Sequence, residues 1–93
     1  MKETITLCCI AVEKNGKFLC LKRAPGNTYP GIWEFPSGKL EDNETLIECA
    51  KRELLEETGL VGEELKYEGY SVRERFEKDV VANYFLCKNT GVN

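Results

Sequence analysis

The residues best placed to do chemistry are three carboxylates, Glu53, Glu56 and Glu57, in the stretch RELLEETG that ends at Gly59. On a helix advancing about 100° per residue, with Glu53 at zero, Glu56 falls at about −60° and Glu57 at about +40°. The three therefore share one side. Like charges at i, i+3 and i+4 destabilise a helix by roughly 0.2–0.5 kcal/mol per pair. The negative end of the helix dipole adds to the cost. A divalent cation turns that liability into a site, because Mg²⁺ takes oxygen ligands and keeps water and phosphates in its shell. A solvated acidic face, with Lys51 and Arg52 as partial counterions, accounts for the same residues without any metal.

The cluster must sit on a helix, and both ends of that helix are written in the sequence. Thr45 and Glu48 form a capping box at its start. Gly59 suits the left-handed position just past its end, with Leu60 expected to meet Leu55 as the apolar pair of a Schellman motif. Leu46, Ile47, Ala50 and Leu54 make the stripe expected to be buried. Thr4 to Glu13 alternates and reads as a strand, and Asn15-Gly16 marks a hairpin turn back into Phe18 to Arg23. Ala24 to Gly31 and Pro36 to Asn43 are rich in breakers and read as loops around a short strand, Ile32 to Phe35. Leu65 to Phe76 and Val80 to Cys87 read as two further strands joined around Glu77-Lys78-Asp79. The order predicts an α/β (α+β) arrangement in which one helix covers one face of a sheet.

Ninety-three residues bound the chain to one small domain. The net charge of −3 offers no basic footprint for duplex nucleic acid. No apolar run reaches the length of a membrane span, and the alternating N-terminus with its acid is unlike a signal peptide. The five cysteines, with no CxxC spacing and no histidine, read as small buried hydrophobes of a cytoplasmic protein.

From Gly38 the chain runs through five residues to Glu44, then seven to Arg52-Glu53-Leu54-Leu55-Glu56-Glu57-Thr58-Gly59-Leu60. This resembles the Nudix box, GX5EX7REUXEEXGU with U aliphatic, at all nine fixed positions. Trp33-Glu34-Phe35-Pro36-Ser37-Gly38-Lys39 is similar to the run preceding the box in MutT-like members, with Ser37 where many have glycine. The resemblance, from the first strand to about Leu86, implies a Nudix-type mixed sheet. It also implies a hydrolase that cleaves a phosphoanhydride bond of a nucleoside triphosphate or nucleoside diphosphate derivative, with Mg²⁺ or Mn²⁺ as cofactor. Such chemistry needs phosphate charge neutralised and a water aimed in line.

Carried over position by position, the resemblance implies that Glu53, Glu56, Glu57 and the Gly38 carbonyl bind metal. Glu53, Arg52 and Glu44 are the expected catalytic set, with Arg52 fixing a glutamate rotamer and Glu44 also serving the loop–helix junction. Arg23, Glu34 and Phe35 are the expected substrate contacts, though Phe35 also reads as core packing. Tyr29, Trp33 and Tyr84 could stack a base but read first as packed aromatics. MutT-like relatives continue with a strand and a helix over the second sheet face, so the expectation is a C-terminally short domain spanning 1–93 without that helix. The last strand carries apolar residues in both alternation sets, which predicts burial of both faces and a homodimer. Two functional readings follow: a metal-dependent nucleotide hydrolase, or a non-catalytic Nudix-fold module that binds metal or nucleotide or self-associates.

Overall fold

The computed structural model describes residues 2–26 and 31–92; Tyr29 lies outside them. The strands are β1 (Thr4–Lys14), β2 (Lys17–Phe18), β3 (Leu21–Lys22), β4 (Trp33–Glu34), β5 (Ser37–Lys39), β6 (Leu60–Arg75) and β7 (Lys78–Val92). One helix, α1 (Leu46–Thr58), lies between β5 and β6 and is the only helix among the described residues. This is the expected mixed α+β arrangement. No helix among the described residues is long and apolar enough to cross a membrane.

β1 organises the sheet. It pairs in parallel with β7 from Thr4↔Asp79 to Val12↔Cys87, and β7 pairs antiparallel with β6. On its other edge β1 takes β2 and β5, both antiparallel. The Asn15-Gly16 turn forms as expected, with positive φ at both residues (53° and 77°). Alternation along β1 and β7 sends Cys8, Ile10, Val12, Phe85 and Cys87 to one face, where they form a core with Cys49, Ala50 and Leu54 of α1. Asn83 is the buried polar residue on that face, held by the Tyr67 hydroxyl (2.9 Å) and by donation to the Leu7 carbonyl (3.3 Å).

The capping box at Thr45 and Glu48 is present in both directions. At the other end Gly59 is left-handed (φ 78°) and its N–H donates to the Leu55 carbonyl. That is the single-bond αL motif rather than a Schellman pair. The Leu60 amide instead donates to Thr58 Oγ1, and Leu60 turns to the core while Leu55 is exposed.

Several expectations are corrected. Ile47 is exposed, and Cys49 with Ala50 and Leu54 forms the buried stripe. Phe18 to Arg23 is not one strand: β2 pairs with β1, and β3 pairs with β4 in a separate two-stranded ribbon. The stretch read as a loop from Pro36 contains β5, whose partner is distant in sequence and invisible to local reading. The β6–β7 turn sits at Phe76-Glu77, both with positive φ, rather than around Lys78. Cys20 is exposed, unlike the buried Cys8, Cys49 and Cys87. The face opposite α1 carries Ile5, Leu7, Ala11, Ala82 and Leu86 only half-buried and Tyr84 exposed. Val80 is buried on that face too, so the last strand is covered on both sides at its start and, from Ala82 on, deeply buried only on the helix side.

Candidate functional site

β5 and α1 build the site together. Gly38 pairs with Cys8 of β1, so it faces the helix side of the sheet. A Cβ there would overlap the Glu53 carboxylate, so glycine is what lets the strand and Glu53 meet. Ser37, beside it, gives its amide N–H to Glu57 Oε1 (2.8 Å). The short strand thus receives two carboxylates from the last turns of α1.

Arg52 lies at the centre of the acids. Its Nε meets Glu44 Oε2 at 2.6 Å and Glu41 Oε1 at 3.1 Å. Its Nη1 donates to Glu53 at 2.7 Å and reaches Glu56 at 3.3 Å, and its Nη2 donates to the Lys39 carbonyl at 2.9 Å. The guanidinium fork bridges the loop before the helix to two of the three clustered glutamates. These bonds hold the Glu44 carboxyl down to about 2, Arg52 being the first cause and partial desolvation opposing it. The same partners, Glu44 first, stabilise the charged form of Arg52. Glu44 also accepts from the Glu41 amide (3.1 Å), so it ties the loop as well as the arginine.

Glu57 is in the opposite state. Burial pushes its carboxyl up, the Ser37 amide opposes this, and Glu53, Glu34 and Glu56 add to the rise. No Lys or Arg among the described residues lies within ion-pair distance of it. Nor, among the described residues, do three acidic or thiol side chains converge closely enough to hold a metal as they stand. The reason is visible: Arg52 draws in Glu53 and Glu56, while Glu57 turns to Ser37. The donor set still suits a hard cation. It is all oxygen, it has more negative charge than Arg52 neutralises, and the glycine at 38 lets the Glu53 carboxylate lie directly against the strand backbone.

The expected substrate residues lie on the ribbon. Arg23 Nε pairs with Glu34 Oε1 at 3.1 Å, and both line a cavity of about 470 Å³ with Ile32, Arg73, Glu74 and Arg75. Phe35 is 38% exposed and tilts against Phe18, so the core-packing reading of it fails. Trp33 is 64% exposed with Lys22 over its ring, and Tyr84 is 40% exposed with its hydroxyl 2.9 Å from Ser71 Oγ. Neither is a packed core aromatic. Sequence reasoning missed Glu41 and the Lys39 carbonyl as partners of Arg52, and Arg73 as a cavity residue. Glu41 stands three residues before Glu44, but nothing in a loop sequence fixes such a contact.

A family model described as the NUDIX domain matches residues 2–93. Phosphatase NudJ of Escherichia coli (strain K12) is 42% identical over 59 residues, covering 63% of this chain and 37% of that protein. The match thus spans little more than a third of that relative. The solution structure of the E. coli ORF135 protein is similar with a TM-score of 0.84 and 26% identity, covering 98% of this chain and 66% of that one. The crystal structure of the MutT protein from Methanosarcina mazei Go1 gives 0.82 and 30%, covering 99% and 71%.

Proposed function

The chain belongs to the NUDIX family, and from that premise we propose that it is a metal-dependent hydrolase of nucleotide phosphoanhydrides. The observation that carries the reading is where β5 meets the end of α1: Gly38 admits the Glu53 carboxylate against the strand, the Ser37 amide holds Glu57 beside it, and no Lys or Arg among the described residues pairs with Glu57. Glu53, Glu56 and Glu57, with the Gly38 carbonyl, would hold Mg²⁺ or Mn²⁺. Bound there, the ion would neutralise phosphate charge and polarise the bond to be broken. Arg52 orients Glu53 and Glu56, and Glu44 anchors Arg52 to the loop. Glu53 is the proposed proton acceptor for the attacking water. Arg23 is the proposed phosphate contact, held by Glu34, and Phe35 offers an exposed ring for the nucleoside.

A panel of nucleoside triphosphates, dinucleotides and nucleotide sugars, assayed for released phosphate products with Mg²⁺ or Mn²⁺, tests the reading. Activity on at least one compound, abolished in Glu53→Gln, is expected. Inactivity on all of them leaves the non-catalytic module, which the Arg52 network would serve as a structural clamp.

We also propose a homodimer and a cytoplasmic setting. The half-buried apolar side chains at the Ala11 and Leu86 end of the helix-free face support the dimer. Light scattering at micromolar concentration should give twice the 10.6 kDa chain mass. A monodisperse monomer would remove the dimer.

A further inference from the structure

The last turn of α1 carries the proposed metal end of the site, and it is the least favourable stretch of the helix. It has no basic residue to offset the dipole. Arg52 compensates Glu53 and Glu56 but leaves Glu57 as a like-charged neighbour of both. Helix ends fray, and one in this condition frays more readily unless something ties it down. Thr58, the last residue of α1, ties it. Its hydroxyl donates to the Leu54 carbonyl at 2.6 Å and accepts from the Leu60 amide at 3.1 Å, both bonds being partly buried. Leu60 opens β6 and packs against the core, so one oxygen joins the end of the helix to a strand that is already fixed. The remaining bond at this end, from the Gly59 amide to the Leu55 carbonyl, engages neither Leu54 nor Leu60. Glu57 stands one residue before Thr58. Its carboxylate crosses to β5, where it accepts from the Ser37 amide at 2.8 Å.

We propose that Thr58 is a positioning residue of the acid site: its hydroxyl holds the last turn of α1 on β6, so that Glu57 stays against Ser37 and is placed to meet a cation. The consequence for the cation rests on the proposed metal site; the placing of Glu57 does not. The Thr58 oxygen is taken by Leu54 and Leu60, so the residue acts through Glu57 rather than as a ligand. Valine in its place keeps the size and the branch at Cβ but leaves the partly buried Leu60 amide without its acceptor. Serine keeps the hydroxyl.

The test compares Thr58→Val and Thr58→Ser with Thr45→Ala, which loosens the same helix at its other end. Thr58 is only half-buried, so the fold should survive either change. Amide NMR of the metal-free proteins reads the Ser37 N–H directly, urea unfolding reads stability, and calorimetric titration of Mn²⁺ reads the site. Thr58→Val should move the Ser37 resonance to where Glu57→Ala, which cannot make the bond, puts it. It should also weaken Mn²⁺ binding about tenfold. Thr58→Ser should match wild type in both. Thr45→Ala should lower the urea midpoint and leave the Ser37 resonance in place. A Ser37 resonance that is unmoved in Thr58→Val, or moved as far in Thr45→Ala, overturns the assignment. So does a Thr58→Val protein that binds Mn²⁺ as tightly as a wild type that binds it. A wild type that binds no Mn²⁺ overturns the metal reading alone, and the Ser37 resonance still decides the role of Thr58.

Discussion

Glu44 and Glu57 are the same side chain at the two ends of one site, and they are in opposite electrostatic states. Glu44, at the loop before α1, accepts from both Nε and Nη2 of Arg52 and is held down to about 2. Glu57, in the last turn, has one amide and no cation among the described residues, and burial among acids pushes it up. The difference separates two jobs that a dense acid motif conceals. The loop end is already neutralised and holds shape. The helix end is short of positive charge and is where a cation would gain most.

Removing Arg52 should have the largest effect, because it joins the two ends of the site. Arg52→Met leaves Glu41, Glu44, Glu53 and Glu56 without their shared cation and frees the loop from the helix. We expect about a hundredfold loss of kcat/KM from misplaced Glu53 and Glu56, with a lower melting temperature. Unchanged kinetics would show that the network does not position the site. Gly38→Ala comes next. Its Cβ would push the Glu53 carboxylate aside, and because that group ends a flexible chain the fold should lose only about 1 kcal/mol. Activity should fall roughly tenfold; a fall in stability alone would leave Gly38 as packing.

Acid titration sharpens the contrast. Glu44 has a folded value of about 2 against an ordinary 4.5, so its contribution is complete above pH 4.5 and is lost as pH falls through 2. Urea unfolding between pH 5 and 2 should show this loss in wild type and a flatter limb in Glu44→Gln. Glu57 has the opposite sign. Its raised value makes the ionised form a cost at neutral pH that disappears in acid. Glu57→Gln should therefore stabilise the metal-free protein near pH 7 by roughly 0.5 kcal/mol, kept small by solvent screening. That gain should vanish below pH 4.5. A loss of stability at pH 7 would mean that the Ser37 amide bond outweighs the like charges.

The helix, its N-terminal box and its glycine stop were legible because each signal is local: Thr45, Glu48 and Gly59 act on backbone within a turn. The Asn15-Gly16 hairpin was legible for the same reason. β5 was not, since Ser37-Gly38-Lys39 carries turn residues and becomes a strand only through Cys8 and its neighbours. Ile47 was misplaced because the apolar stripe is centred on Cys49 and Ala50, one step round the helix. The box pattern gave the members of the acid site but not their partners. That Arg52 reaches Glu41, Glu44, Glu53 and Glu56 at once depends on how the Lys39–Glu44 segment folds over the helix. Arg73 was silent in sequence because only strand register assigns it a face.

The helix end of the acid cluster is the proposed seat of a divalent cation. Its most direct test is calorimetric titration of Mn²⁺ into wild type and the Glu56→Gln/Glu57→Gln variant at neutral pH. One site is expected in wild type, with affinity weakened about tenfold or more in the variant. Equal affinity in the two proteins would contradict it.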